Sequence, residues 1–396
     1  METSHAFDGL RCLDCGETVS ADQDVGRCPD CGGVLDPQYE YDEIDLDRET
    51  LDDRTDRSQW RYCELLPFTR ESAVSLDEGG TPLVECPRLA DELDVGRVLV
   101  KDDGRLPTGS TADRGQSLAL TAATEADETA VALPSPGASA QSAAAYAARA
   151  GLDSHAFVPS RTPFTNKAMI NVHGGDMNVI GGRFGDAVEA FEDAIAEESW
   201  HSLSAFDTPY RHEGRKTVLF EIVEQLDWTL PDAIVAPTGT GLSIAGLYKG
   251  ARELRELGFV DDLPALYVAQ AAGCAPFVEA WGAERSEAAP VELPDTICGE
   301  LEIPDPNGSA HVLDALAATD GGAVSVEDPE ILESAVTAAS SEGLEVGTST
   351  GAALGGTWRL AERDTLGEDD CIVVLNTGAG SKDNDVLRSH LMGQGI

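Results

Sequence analysis

The sequence predicts an α/β protein with two open parallel-sheet domains behind a small N-terminal zinc ribbon. Three observations carry this. The chain has 396 residues, and at roughly 100–200 residues per domain that length holds two or three domains. Strand and helix patterns alternate after residue 95, which implies a parallel sheet with helices on both faces. Two Cys-x-x-Cys pairs precede residue 35.

The ribbon comes first. Cys12-Leu-Asp-Cys15-Gly and Cys28-Pro-Asp-Cys31-Gly-Gly are knuckles with twelve residues between them. Their four thiolates can close a tetrahedron around Zn²⁺. Gly16 and Gly32 allow the tight turn that points backbone N–H groups at sulfur. Four protein ligands leave no open position, so the zinc at Cys12, Cys15, Cys28 and Cys31 is expected to be structural. The other five cysteines are scattered, and an odd total of nine argues against a disulfide framework.

Residues 36–60 are acidic and irregular and read as a linker. Beyond them, apolar runs at 96–101, 129–133, 155–158, 178–180, 233–236, 265–269 and 371–375 are expected strands. Segments 139–150, 187–198, 247–257 and 329–342 carry helical patterns. About 300 residues of such alternation make two α/β domains.

Charge narrows the function. Asp and Glu number 72, Lys and Arg 27, and the formal net charge is −45. That field repels phosphate backbones and anionic bilayers, so neither nucleic acid nor a membrane is an expected partner. No apolar stretch approaches the ~18 residues of a spanning helix. The first ten residues lack the basic start and apolar run of a signal peptide. A soluble cytoplasmic protein is expected. Only five cations are lysines: Lys101, Lys167, Lys216, Lys249 and Lys382. An acidic surface with Arg in place of Lys suits a salt-saturated cytoplasm, where a Debye length of ~3 Å near molar salt makes self-repulsion tolerable. An unusually acidic protein of ordinary cytosol is the alternative.

In open α/β sheets, ligands sit beyond the C-terminal ends of strands. Four strand-to-helix loops here are rich in Gly, Ser and Thr: 101–115, 134–140, 237–243 and 377–383. The third is the best anion site, because Gly239 and Gly241 let the backbone approach a ligand ahead of a helix N-terminus. It fails the dinucleotide fingerprint, since Ile244 stands at the third Gly position. A plain βα turn is the alternative. The fourth loop lacks Walker spacing.

Together these loops resemble threonine synthase, among the pyridoxal-phosphate enzymes of fold type II. Trp60-Arg-Tyr-Cys-Glu-Leu-Leu-Pro67 is similar to the family's W-R-Y-x-E-L-L-P, and Glu78-Gly-Gly-Thr-Pro-Leu83 to its E-G-G-T-P-L. Tyr210-Arg-His-Glu-Gly-Arg-Lys-Thr217 resembles Y-R-x-E-G-Q-K-T, and the loop from Thr377 to Asp383 resembles T-G-H-G-L-K-D. The N-terminal ribbon looks like the one preceding many archaeal members. The resemblance implies a zinc ribbon at 1–38, a large α/β domain at 39–100 and 200–396 with the phosphate loop, and a small domain at 101–199. It also implies that Gly239, Thr240, Gly241 and Ser243 hold the cofactor phosphate and Thr377 the pyridine nitrogen. Ser110, Arg114 and Ser135 would line the substrate pocket. Each has a plainer reading, as a helix cap, a turn or, for Arg114, an internal salt bridge.

Two departures alter the expected activity. The family's T-G-S-F-K-D-R-G stands here as Thr108-Gly-Ser-Thr-Ala-Asp-Arg-Gly115, so the cofactor lysine aligns with Ala112. The family's S-x-G-N stands as Ser135-Pro-Gly-Ala138, so the Asn that touches the pyridoxal oxygen aligns with Ala138. That lysine forms the resting Schiff base and then shuttles protons, and general acid–base work alone is typically worth ~10²–10⁴ in rate. Pyridoxal phosphate, if held, is expected to be held non-covalently. The first expectation is a catalytically impaired paralogue of the O-phosphohomoserine-to-threonine enzyme. It would sense a small amino acid or phosphorylated amino acid, or serve as a partner subunit or homo-oligomer. The second is a working lyase that uses free cofactor and substrate as a preformed imine, or another lysine.

Overall fold

The computed structural model describes residues 2–20 and 26–393. In chain order, β1 (Phe7–Cys12), β2 (Thr18–Val19) and β3 (Leu35–Tyr39) form a small antiparallel sheet in the order β2-β1-β3. Next come β4 (Leu83–Glu85), β5 (Arg97–Asp102), α1 (Ala112–Glu125), β6 (Ala130–Pro134), α2 (Ala138–Ala150), β7 (Asp153–Pro159), β8 (Asp176–Ile180) and β9 (His201–Ser202). Then follow α3 (Tyr210–Arg215), α4 (Thr217–Gln225), β10 (Ala233–Pro237), α5 (Leu242–Glu256), β11 (Ala265–Ala271) and β12 (Gly322–Val326). The chain closes on α6 (Asp328–Glu342), α7 (Thr348–Ala361) and β13 (Cys371–Asn376) before a last short helix.

Contacts group the chain into two compact units. One comprises Met1–Gly80, Ala112–Glu221 and Lys249–Asp261. It holds the ribbon and a four-stranded parallel sheet in the order β8-β7-β6-β9. Its core includes Trp60, Phe68, Leu118, Val131 and Tyr146. The other comprises Thr81–Thr111, Ile222–Tyr248 and Asp262–Ile396. Its six-stranded sheet runs β12-β11-β10-β13-β5-β4, parallel except where β4 pairs with β5. Val98, Val235, Ala269, Leu354 and Val374 pack in its core.

The expected strands are present, and β6 and β10 are covered on both faces. Every residue of β6 and of β10 is buried, so such strands read as continuous apolar runs rather than alternating ones. The helix expected at 329–342 is α6. It starts where the Glu327 N–H donates to the Glu330 carboxylate at 3.4 Å and stops at Gly343, whose φ is 72°.

Two expectations change. The helix expected at 247–257 is the later part of α5, which begins at Leu242. Leu242 and Ile244 are buried, so packing carries helix through a Ser- and Gly-containing stretch that propensity disfavours. Segment 36–60 is not a plain linker: β3 occupies its start, pairing with β1, and Gln59–Leu65 forms a 3₁₀ helix around the buried Trp60. The sequence also gave no sign of β12 or α7. Among the described residues, no helix is long and apolar enough to cross a membrane.

Candidate functional site

The four ribbon sulfurs converge. Cys12 and Cys28 are buried, Cys15 and Cys31 exposed, and all four Sγ atoms lie within 4.8 Å of one another. Cys12 and Cys31 are 3.5 Å apart and Cys15 and Cys28 3.7 Å, close to the edge of about 3.8 Å that tetrahedral Zn–S bonds of ~2.3 Å require. The Cys15 N–H points at the Cys12 sulfur at 3.5 Å, and Gly16 and Gly32 take positive φ, as the knuckle pattern implied. Burial works against ionising Cys12, but the N–H groups of Cys15 and Asp14 bring its thiol down to about 7. The Gly33 N–H favours the Cys31 thiolate, yet the neighbouring Cys15 and Cys12 sulfurs push that thiol up to about 12. Four sulfurs this close can hold a cation between them. The donor set fits zinc, and four protein ligands leave no open position on a tetrahedral ion for catalysis.

The phosphate-type loop runs from the end of β10 into α5. The Thr238 N–H donates to the Ala269 carbonyl at 2.9 Å, and the Thr238 carbonyl accepts from Gln270 Nε2 at 3.1 Å. These bonds fix the loop to β11. Gly241 has a φ of 92°, and a Cβ there would stand 2.5 Å from Val312 and 3.2 Å from Phe277, so only glycine fits. Among the described residues, none accepts a hydrogen bond from the N–H of Gly239, Thr240 or Gly241. Three such donors at the positive end of a 15-residue helix suit an oxyanion. Ser243 lies in the first turn of that helix.

The loop after β13 lies beside the one that precedes α1. The Thr111 N–H donates to the Thr377 carbonyl at 3.0 Å, Ser110 bridges to Gly378, and the Ala379 N–H donates to the Gly109 carbonyl at 3.0 Å. Asn376, just before Thr377, accepts from Thr350 Oγ1 at 2.6 Å and donates to Asp102 at 2.7 Å. Ser110 and Thr377, expected on different parts of a ligand, are therefore brought together.

Ala112 is the first residue of α1 and is 2% exposed. Asp113 accepts from Ser142 Oγ at 2.5 Å. Ala138 opens α2 one turn ahead of Ser142 on the same face. Both alanines thus sit within a turn of the Asp113–Ser142 bond. Neither methyl can form an imine or donate a hydrogen bond, so these two positions do not fit a covalently held cofactor. Ser135 is fully buried, and its Oγ accepts from the N–H groups of Gly137 at 3.0 Å and Ala140 at 3.1 Å. It caps α2. Arg114, expected in the substrate pocket, instead makes a bidentate ion pair with Glu221 at 2.6 and 2.9 Å and bonds Thr217 at 3.0 Å, all inside one unit. Its guanidinium is taken up by the fold.

The remaining lysines are largely committed. Lys101 donates to the Thr81 carbonyl at 2.7 Å and to Gln225 at 3.0 Å. Lys216 lies 2.5 Å from Glu213 and 2.7 Å from Glu253, and Lys249 lies 2.8 Å from Asp36. This buried set, which also takes in Tyr39, Tyr41 and His212, was not expected, because Asp36 was read as linker. The same holds for Gln116, a buried amide one turn beyond Ala112; its only signal was a polar residue on that face.

The model of the pyridoxal-phosphate dependent enzyme family matches residues 74–378. The threonine synthase of Methanosarcina acetivorans is 36% identical over 375 residues, covering 94% of this chain and 92% of that protein. That of Methanocaldococcus jannaschii is 36% identical over 379 residues, covering 95% and 93%. Among solved structures, a fungal L-serine ammonia-lyase from Rhizomucor miehei superposes with a TM-score of 0.68 at 22% identity, covering 79% of this chain and 97% of that one. At that identity the likeness speaks for the fold alone.

Proposed function

The chain belongs to the pyridoxal-phosphate-dependent enzyme family, and from that premise we propose that it is a threonine-synthase-like protein which holds its cofactor without a covalent bond and has lost ordinary catalysis. The observation that carries this is Ala112, a buried methyl at the start of α1, where the family resemblance places the cofactor lysine. Pyridoxal phosphate, when bound, supplies an electron sink for chemistry at an amino acid's α-carbon. The chain's own residues bind and orient. The backbone N–H groups of Gly239, Thr240 and Gly241 and the side chain of Ser243 hold the phosphate, and Thr377 meets the pyridine nitrogen. Ser110 and Ser135 line the place of an amino-acid or phosphorylated amino-acid ligand. With Ala112 and Ala138 at the reactive end, no side chain there moves a proton, so the protein senses its ligand or serves as a partner subunit. The ribbon zinc is structural, and the acidic surface belongs to a salt-rich cytoplasm.

A working lyase is the second reading, and identity of 36% to two archaeal threonine synthases across nearly the whole chain favours it. It requires another lysine or a preformed imine. Lys101, Lys216 and Lys249 are held by internal partners, which supports the first reading. One experiment separates them. Purified protein is incubated with pyridoxal phosphate in molar KCl, reduced with borohydride, desalted and mapped by peptide mass. The expected outcome is cofactor absorption that desalting removes and no pyridoxyl-lysine. A pyridoxyl group on any lysine overturns the non-covalent reading, and a complete lack of binding rejects the cofactor.

A further inference from the structure

Helix α1 carries a row of buried polar side chains, and all but one are satisfied. Asp113 bonds Ser142, and Arg114 bonds Glu221 and Thr217. Ser117 donates to the Val74 carbonyl and accepts from Trp60 Nε1. Thr121 donates to the Ser117 carbonyl and accepts from the Val74 N–H. Gln116 stands among them with 0% exposure, and neither its Nε2 nor its Oε1 has a hydrogen-bond partner. A buried polar group left unpaired forfeits the hydration it had in water, and native proteins keep few of them.

The position of that amide suggests its use. Gln116 follows Ala112 by four residues, so the two share one face of α1, one turn apart. Long side chains on a helix lean back toward its N-terminus, which directs the Gln116 amide over the turn that Ala112 opens. Ala112 presents only a methyl there.

We infer that Gln116 is a ligand-binding residue whose amide N–H hydrogen-bonds the free carbonyl oxygen of a pyridoxal-type ligand at the position left by the missing lysine. This rests on the proposed non-covalent binding of pyridoxal phosphate: an aldehyde that is not converted to an imine keeps an oxygen that needs a donor. The unpaired amide is then a binding group kept ready, at a cost in the ligand-free protein.

The test uses two probes, pyridoxal phosphate and 4-deoxypyridoxine phosphate, which lacks the carbonyl oxygen. Dissociation constants are measured by equilibrium dialysis at high salt for wild type, Gln116→Met and Gln116→Glu, with thermal midpoints of each ligand-free protein. Wild type should prefer pyridoxal phosphate by about tenfold, the scale of one hydrogen bond. Gln116→Met should bind both probes equally, and its ligand-free midpoint should equal or exceed that of wild type, because an unpaired amide has been removed. Gln116→Glu, which only accepts when ionised, should also lose the preference. Equal binding of the two probes by wild type, or a preference retained in either variant, overturns the inference while leaving cofactor binding intact. A large drop in the ligand-free midpoint of Gln116→Met shows instead that the amide serves the fold, and also overturns it. Failure of wild type to bind either probe overturns both this inference and the reading it rests on.

Discussion

The Lys216 ammonium lies 2.7 Å from the Glu253 carboxylate, with side-chain exposures of 0% and 2%. Neither Lys216 Nζ nor Glu253 Oε2 meets hydrogen-bond geometry, so charge rather than alignment holds the contact. Around it sit Glu213, 2.5 Å from Lys216, Lys249 at 3.7 Å from Glu253, and Asp36 at 2.8 Å from Lys249. The Tyr39 hydroxyl donates to Glu213 at 2.5 Å, and the Tyr39 ring lies 4.4 Å from the Lys216 ammonium. Since β3 is a strand of the ribbon's own sheet, this cluster ties the ribbon to α3 and the C-terminal half of α5.

Breaking that cluster should be costly in one direction only. Lys216→Met leaves Glu213 and Glu253 buried beside one fewer cation, and removing one partner of a buried pair typically costs about 3–5 kcal/mol. Adding Glu253→Gln should return a clear part of the loss, because an uncompensated carboxylate disappears. Denaturant midpoints for wild type, both single variants and the double variant complete the cycle. Strict additivity would show that the two charges do not depend on each other.

The same cluster gives a pH signature. Burial alone would raise Asp36, but the Lys249 ammonium and His212 outweigh it and hold the carboxyl well below the usual range. A depressed folded-state value means stabilisation that is full above the unfolded value of ~3.9 and is lost as pH falls below it. Burial pushes Glu253 the other way, above its ordinary range; that contribution is present in acid and is lost as pH rises, so it partly offsets the first. Asp36→Asn removes only the Asp36 contribution. Its deficit relative to wild type should be largest near neutral pH and should shrink as pH is lowered toward 3. A deficit that stays constant across that range would remove Asp36 from the acid response.

The ribbon should carry one zinc per chain. Among the described residues its sheet has three short strands, and four adjacent thiolates repel one another without a cation. Elemental analysis of reduced protein should find the metal, and Cys28→Ala should lose it and lower the thermal midpoint. Metal-free wild type with an unchanged midpoint would mean the knuckles are not a metal site.

Salt should stabilise the whole chain. A formal charge of −45 repels itself across the surface, and molar salt shortens the Debye length to ~3 Å. Denaturation midpoints should rise steadily from dilute buffer to molar KCl. A flat series would argue for an acidic protein of ordinary cytosol.

What the sequence made legible follows from how each feature is encoded. The strands β6, β10 and β13 were visible because both faces are buried and each reads as one apolar run. The ribbon was visible because its ligands are local. Helix α7 was hidden, since its Thr- and Gly-rich sequence disfavours helix. It forms because nearly all of it packs: a Cβ on Gly355 or Gly356 would press into Val326 or Ala269. The ion clusters were hidden for another reason. Glu221 pairs with Arg114 across 107 residues, and in a chain with 72 acidic residues nothing local marks Asp36, Glu213 or Glu253 as buried.

Ala112→Lys alone should rescue little threonine formation from O-phosphohomoserine, and adding Ala138→Asn should rescue more. A lysine at 112 restores a nucleophile and proton carrier at the start of α1. Position 138 remains a methyl, so the donor that the family resemblance places against the pyridoxal oxygen is still missing, and poorly oriented groups forfeit much of the rate that positioning supplies. The Asp113–Ser142 bond keeps the starts of α1 and α2 together, so an Asn at 138 should stand where it can act with the new lysine. Residues that act as a unit are not additive, and the double variant should exceed the product of the single effects. The measurement is phosphate release by wild type, both single variants and the double variant, with added pyridoxal phosphate at high salt. If wild type already turns over as fast as the double variant, the protein is an enzyme by another route and the impaired-paralogue reading falls. If the double variant is folded and yellow yet inert, the pocket has diverged beyond these two positions, and O-phosphohomoserine is the wrong ligand.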